Sequence, residues 1–401
     1  MNARPDSPER TAAAGAPTAT QPALPDYLAP VFAQYPLRIV AAEGVWLTTG
    51  DGRRVLDLYG GHAVAALGYG HAGWTAALTG QARTLSFQSN AVPLDVRLRA
   101  AQRLIRFSGL DFTRVFFVNS GAEANENALK MAFTCTQRTH IVAIEHSFHG
   151  RTAGAGAVTW GAAAKWYGFP RAPFDVSFIP RGELAAIATQ VTARTAAVIV
   201  EPVQGVGGAF DLGAPFLAAL RARCDEVGAL LICDEVQCGM GRVGAPFASG
   251  LYGVQPDMIT TAKALGAGFP CGALLMAPRV AAAIRLDALG TTFGGGPMAC
   301  AVIEAVIDAI ESDQLLERVR ARAAEIRSRC IVGPVRAHQG EGLLVGLRTT
   351  RPAREVHAAL LERGILAGTS ADPHILRLLP PYVLGAQHVE LLRDALLDIG
   401  S

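Results

Sequence analysis

Five apolar runs in this sequence end in the same way, and that repetition constrains the fold more than any other feature. They are "RVFFVNSG" (114–121), "HIVAIEHSFHG" (140–150), "TAAVIVEPVQG" (195–205), "GALLICDEVQ" (228–237) and "PDMITTAKALGAG" (256–268). Each begins as a near-continuous apolar stretch and closes on a polar or glycine-rich cluster. Helical patterns separate them, as in "AEANENALKMAFTCT" after the first. Strands without alternation are buried on both faces. Strands of that kind alternating with helices predict an α/β fold with a large, mostly parallel sheet. Ligands of such sheets bind beyond the carboxyl ends of the strands. The polar ends are therefore expected to converge on one site.

The flanks read differently. "GVWLTTGDGRRVLDLYGG" predicts two short strands joined by a turn at "GDGR". From about residue 300 a long helical pattern, "MACAVIEAVIDAIESDQLLERVRARAAEIRSRC", leads into shorter runs that suggest a small α+β domain. A chain of 401 residues exceeds what one core usually holds. The expected division is a disordered leader over 1–26, rich in Ala, Pro and Thr, and the N-terminal part of a small domain over 27–65. A large domain follows over 66–300, with the rest of the small domain over 301–401.

A net charge of +2 argues against a nucleic-acid or anionic-membrane partner. No window approaches the ~20 apolar residues of a membrane span. The seven cysteines are unpatterned, which fits free thiols in a reducing compartment. Cys233 and Cys238 lack metal-ligand spacing, and His146 and His149 lack a third ligand, so no metal is expected. The expected location is cytoplasmic.

Within the converging ends, Ser120, Gly121 and Ala122 sit where a strand turns into a helix. Free N–H groups there suit a phosphate, although taken alone Ser120 reads more readily as an ordinary helix cap. In "SFHGRT", Phe148 offers an aromatic plane and Arg151 a fork for a carboxylate. The only lysines are Lys130, Lys165 and Lys263. Lys263 follows a strand-like run in an apolar context, where desolvation would make it nucleophilic. The other two read as surface residues. Asp234 and Glu235 end a buried strand, which admits three readings: a metal ligand, the acidic strand of a P-loop nucleotide site, or a counter-charge for a cationic cofactor. The P-loop reading requires GxxxxGK[ST], and no lysine here follows a glycine. The metal reading lacks ligands. The third needs a phosphate site, an aromatic plane and a lysine, and all are present.

Six motifs, "NSGAEANENALK", "SFHGRT", "EPVQGVGG", "CDEVQCGMGR", "TTAKALGAG" and "GTTFGGGPMACA", stand in the order and rough spacing of the class III pyridoxal-phosphate aminotransferases. The resemblance covers nearly the whole chain beyond the leader and looks closest to the branch acting on N-acetylornithine. It implies a fold-type I transferase that binds pyridoxal 5′-phosphate. Lys263 would hold the cofactor covalently and shuttle the proton. Asp234 would pair with its ring nitrogen, and Gln237 would face its phenolic oxygen. Phe148 and Val236 would cover its two faces, and Ser120, Gly121 and Ala122 would hold its phosphate. Thr292 would reach the phosphate bound by the other subunit and Thr291 the substrate there, making an obligate homodimer with shared sites.

The resemblance further implies that Arg151 holds the α-carboxylate of the ω-amino donor and Arg377 that of glutamate or 2-oxoglutarate. Read without the resemblance, either arginine could be a surface ion pair. Glu201, in "EPVQGVGG", and His62, in "LYGGHAVAALG", are also expected at the substrate, His62 either in the pocket or capping a turn. Two positions depart from the usual pattern: Val206 where a second Glu is common, and Gly296 where Asn is common. Val206 leaves Arg377 available for a carboxylate on the donor's acyl group, as in N-succinylornithine. The implied reaction moves the terminal amine of N-acetylornithine, or another N-acylornithine, to 2-oxoglutarate, giving glutamate and a semialdehyde, in arginine biosynthesis. Carrier-protein-linked lysine, ornithine or 4-aminobutyrate are the alternative donors.

Overall fold

The computed structural model describes residues 27–400, so the expected leader over 1–26 lies outside the described residues. The chain forms two units, the first ending at Arg38 and the second beginning at Ile39. In the first, the side chains of Tyr27, Leu28, Val31 and Phe32 are exposed. Everything that follows concerns the second unit.

It opens with an antiparallel meander, β1 (Ile39–Glu43), β2 (Trp46–Thr49) and β3 (Arg54–Asp57). The turn between β2 and β3 falls at the predicted "GDGR". Next come β4 (Arg114–Val118), β5 (His140–Ile144), β6 (Asp175–Ile179) and β7 (Thr195–Val200), then a short hairpin of β8 (Val203–Gln204) and β9 (Phe210–Asp211). β10 (Leu230–Asp234), β11 (Met258–Thr261) and β12 (Gly272–Met276) follow. The last strands are β13 (Val335–Glu341), β14 (Leu344–Thr349), β15 (Ile365–Leu366), β16 (Gly368–Thr369) and β17 (Ile375–Leu378).

The large sheet has seven strands in the order β4-β12-β11-β10-β7-β5-β6. Only β12 runs antiparallel to its neighbours. The five apolar runs became β4, β5, β7, β10 and β11, and β5, β7 and β10 are buried along their whole length. Full burial of a Leu, Ile or Val side chain contributes roughly 1.5–3 kcal/mol. The run Leu230–Ile232 therefore anchors β10 firmly enough to carry the polar residue at its end into a dry place. The parallel strands all present their carboxyl ends to one side, where their polar termini meet.

Residues from both ends of the unit share a sheet. β15 pairs in parallel with β3, so Ile365 lies beside Leu56 and Leu366 beside Asp57. A third sheet is ordered β13-β14-β17-β16. The pattern after residue 296 is two helices, Pro297–Ser312 and Leu315–Arg329, rather than the single long one expected. Gln314 takes a left-handed φ of 53° between them and turns the chain. Hydrophobic periodicity runs on through such a one-residue reversal, so the pattern alone does not reveal it.

Candidate active site

A cavity of about 500 Å³ opens at the carboxyl ends of the large sheet. Its wall combines the residues that follow β4, β5, β7, β10 and β11. Ser120, Gly121, Ala122, Phe148, Arg151, Glu201, Asp234, Val236, Gln237 and Lys263, all anticipated from sequence, line it.

Lys263 leaves β11 and begins a short 3-10 turn, Lys263–Leu265. Its φ of 46° lies in the left-handed region, which costs a residue with a Cβ about 1–2 kcal/mol. The packing around β11 sustains this and turns the side chain into the cavity. Burial lowers the amine's pKa from its ordinary value; Asp234 and Glu201 oppose that, and Arg377 adds to it. A desolvated amine with a lowered pKa is a competent nucleophile and proton carrier. Lys130 and Lys165 are exposed, as expected.

Asp234, at the end of β10, is held on both carboxylate oxygens. Oδ1 accepts from the Val236 backbone N–H at 3.0 Å. Oδ2 accepts from Asn125 Nδ2 at 2.7 Å and shares a second 2.7 Å bond with His149 Nδ1. Asn125 is fixed in turn, donating also to the His149 carbonyl and accepting from the Thr260 hydroxyl at 2.6 Å. The sequence reading missed both supports. Asn125 was visible as a polar residue among alanines on a helix face. His149 was seen, but its partner lies 85 positions further on.

The helix Gly121–Thr136 begins at Ser120, whose extended backbone and side chain make it the N-cap. Ser120 Oγ accepts from Glu123 N–H at 3.2 Å, and the Glu123 carboxylate reaches back to Asn119 N–H at 2.8 Å. Ser120 therefore caps the helix, and it also lines the cavity. The first N–H groups of a helix have no partner within it and carry the positive end of the dipole. Gly121 is required there by close approach, because a Cβ would lie 2.7 Å from Val236 Cγ1. Gly205 has a matching role beside Gln237, where a Cβ would collide with Oε1. Gln237 Nε2 donates to the His62 carbonyl at 3.3 Å, and its Oε1 is buried without a protein partner. That amide retains capacity for a ligand.

Glu201 is buried, accepting from Phe148 N–H at 2.8 Å and Gly205 N–H at 3.0 Å. It therefore fixes the backbone of the cavity wall as well as lining it. Burial raises its carboxyl pKa. Val206, one of the two departures, also lines the cavity. Arg151 is exposed at its edge, with its guanidinium 4.7 Å from the Trp166 ring centre and 5.9 Å from that of Phe148.

Four anticipated residues lie outside the lining. Arg377, on β17, is buried; Nε donates to the Thr369 carbonyl at 2.8 Å and Nη2 to the Tyr59 hydroxyl at 3.3 Å. His62 has a φ of 63°, and its Nδ1 bonds the Tyr59 hydroxyl at 2.7 Å. Thr291 accepts from Gly294 N–H at 3.1 Å, and Thr292 is exposed. Glu235, beside Asp234 at the end of β10, holds the start of the helix Ala248–Leu251. It accepts from Ala248 N–H, Ser249 N–H and the Ser249 hydroxyl, and burial raises its pKa to about 7.

Among the described residues, no group of three metal-ligating side chains could hold an ion. No helix among them is long and apolar enough to cross a membrane.

A buried amine, a buried carboxylate and a helix N-terminus meeting at the edge of a mostly parallel sheet fit the fold-type I pyridoxal-phosphate transferases. Within that class the chain belongs to the class-III aminotransferases, whose family model, "Aminotransferase class-III", matches residues 27–399. The chain is 41% identical over 365 residues to an acetylornithine aminotransferase of Streptomyces coelicolor, covering 90% of each. It is 39% identical over 380 residues to an acetylornithine/succinyldiaminopimelate aminotransferase of Yersinia pestis, covering 90% of this chain and 92% of that one. Its fold is similar to the ornithine aminotransferase of Toxoplasma gondii, with a TM-score of 0.86 at 26% identity, over 93% of this chain and 92% of that one.

The enzyme is therefore a pyridoxal-phosphate-dependent aminotransferase. The residues present fit that cofactor. The cavity supplies an amine, a carboxylate, the N-terminus of the helix Gly121–Thr136, and a buried amide oxygen without a hydrogen-bond partner among the described residues.

Proposed function

We propose that this aminotransferase takes the terminal amino group of N-acetylornithine, or another N-acylornithine, and delivers it to 2-oxoglutarate, giving glutamate and the acylated semialdehyde. The observation that carries this reading is the single cavity joining Lys263 and Asp234 to a carboxylate-binding fork at Arg151. The Streptomyces and Yersinia relatives support the choice of donor. Arginine biosynthesis is the setting such a reaction serves, in the cytoplasm.

The bound cofactor supplies an electron sink for the carbon that loses its proton. Lys263 would hold it covalently and, once displaced by the donor's amine, would move the proton at its Nζ. Asp234 would keep the ring nitrogen protonated, since an opposite charge in contact can shift a pKa by ~1–3 units. Ser120, Gly121 and Ala122 would bind the phosphate, Phe148 and Val236 would cover the ring, and Gln237 would contact the phenolic oxygen. Arg151 receives the donor's carboxylate and Arg377 that of 2-oxoglutarate, each suited to bidentate contact. Glu201 and His62 border the substrate. The protein acts as a homodimer in which Thr291 and Thr292 serve the site of the other subunit.

Val206 favours a second reading of the acyl group. Val206 puts an apolar side chain at that point of the wall, so the extra carboxylate of an N-succinyl donor would meet no acidic side chain at this position. A panel of N-acetylornithine, N-succinylornithine, ornithine, 4-aminobutyrate and carrier-protein-linked lysine, scored by glutamate formed from 2-oxoglutarate, decides. Turnover of N-acylornithines well above the others is expected. A preference for free ornithine, 4-aminobutyrate or the carrier-linked lysine would replace the reading.

A further inference from the structure

Arg151 is held in an unusual way for a carboxylate-binding residue at a cavity edge. Among the described residues its guanidinium meets two aromatic faces and no carboxylate within ion-pair distance. The nearer face, at 4.7 Å, belongs to Trp166, which does not itself line the cavity. The farther, at 5.9 Å, belongs to Phe148, which does. The two rings lie 6.3 Å apart at 50°.

Trp166 is fixed by the chain around it. The backbone N–H groups of Trp166 and Tyr167 both donate to the Ala162 carbonyl, at 2.9 and 3.0 Å. Tyr167 Oη donates to the Ala153 carbonyl at 2.6 Å, tying this segment to the helix Ala153–Ala157 that follows Arg151. Gly156 leaves the space the two rings need. A Cβ there would lie 2.9 Å from Tyr167 Cε2 and 3.6 Å from Trp166 Cζ3.

A carboxylate partner would occupy the N–H edges of the guanidinium and compete with a substrate. An aromatic face attracts the cation through the ring quadrupole and leaves those edges available. It also restricts a long, flexible side chain before the ligand arrives, which lowers the ordering cost of binding. We propose that Trp166 is a specificity-determining residue for the amino donor, holding Arg151 poised for the donor's α-carboxylate. This rests on the reading that Arg151 receives that carboxylate.

The test compares the holoenzyme and its Trp166→Ala, Trp166→Phe and Arg151→Ala variants on two donors. One is N-acetylornithine. The other is N-acetylputrescine, the same molecule without the carboxylate. Losing the stack should raise the KM for N-acetylornithine roughly three- to tenfold in Trp166→Ala, with kcat little changed. KM for N-acetylputrescine should stay as in the parent, and Trp166→Phe should restore most of the loss. A purely structural role would move both donors, or kcat, together, and that result overturns the proposal. So does an unchanged KM for N-acetylornithine in Trp166→Ala when Arg151→Ala shows a large increase. If Arg151→Ala treats the two donors as the parent does, the carboxylate reading of Arg151 fails, and this inference with it. If Trp166→Ala does not fold, Trp166→Leu takes its place under the same criteria.

Discussion

His149 Nδ1 and Asp234 Oδ2 lie 2.7 Å apart, with the His149 side chain closed to solvent and that of Asp234 nearly so. Together with Asn125, the imidazole fixes the direction of the carboxylate proposed to pair with the cofactor ring. Leaving a buried polar group short of a partner costs about 1–3 kcal/mol. His149→Ala is therefore expected to weaken cofactor retention by about five- to a hundredfold. Dialysis followed by the visible absorbance of the bound cofactor measures it. Retention equal to the parent's would show that Asn125 and Val236 suffice.

Removing the aspartate is more severe. An adjacent opposite charge shifts a pKa by ~1–3 units, so Asp234→Ala should lower turnover at neutral pH by about ten- to a thousandfold. It should also release cofactor more readily. Unchanged turnover in that variant would remove Asp234 from the mechanism.

The contact between Gly121 and Val236 is a test of shape rather than charge. Gly121→Ala would put a methyl group 2.7 Å from Val236 Cγ1, and overpacking of this kind costs about 1–3 kcal/mol. Since both residues line the cavity proposed to hold the cofactor, the expected outcome is a higher dissociation constant for the cofactor with a smaller change in apoenzyme melting temperature. A fall in apoenzyme stability with intact affinity would place the strain elsewhere.

Glu235 gives a pH dependence with a definite sign. Its pKa rises from 4.5 to about 7 in the folded protein because it is buried. The native state then holds a proton that the unfolded chain releases, so its contribution to stability falls as pH rises across this range. That contribution is complete below pH 4.5 and gone above about pH 7. Thermal denaturation of the parent and Glu235→Gln should show the parent's advantage shrinking between those values. A constant difference across them would mean that Glu235 does not titrate there.

Gly296 caps the helix Pro297–Ser312 without a side-chain bond. Asparagine is a better N-cap than glycine by only a few tenths of a kcal/mol. Its φ of −58° admits any residue, although a Cβ would stand 3.1 Å from the Phe293 carbonyl. Gly296→Asn should therefore raise the melting temperature slightly and leave the kinetics unchanged. A marked loss would mean the carbonyl does not yield.

The large sheet was legible because it is made of long apolar runs. A run such as "TAAVIV" has one stable place, between two covering layers, and β7 takes it. Lys263 and Asp234 were legible for a related reason. A charged group at the end of a buried strand is costly unless it has a use, so its presence is informative. Less visible was the break at Gln314, where one residue of left-handed backbone interrupts a continuous hydrophobic pattern.

Residues linked across long separations could not be read from order. Asn125 reaches Asp234 over 109 positions, and Arg377 reaches the Tyr59 hydroxyl over 318. The turn at Ala162 brings the Trp166 ring to 4.7 Å from the Arg151 guanidinium, and no local pattern marks that contact. The sequence alone determined the class of fold, the chemistry available and the convergence of the polar strand ends. Hydrophobic burial depends on composition and local period, both written along the chain. Only the tertiary structure decided which donors meet each oxygen of Asp234, what Arg151 rests against and which N–H groups Glu235 accepts from. Hydrogen bonds and ring contacts act over a few ångströms, and folding alone sets which distant residues come that close.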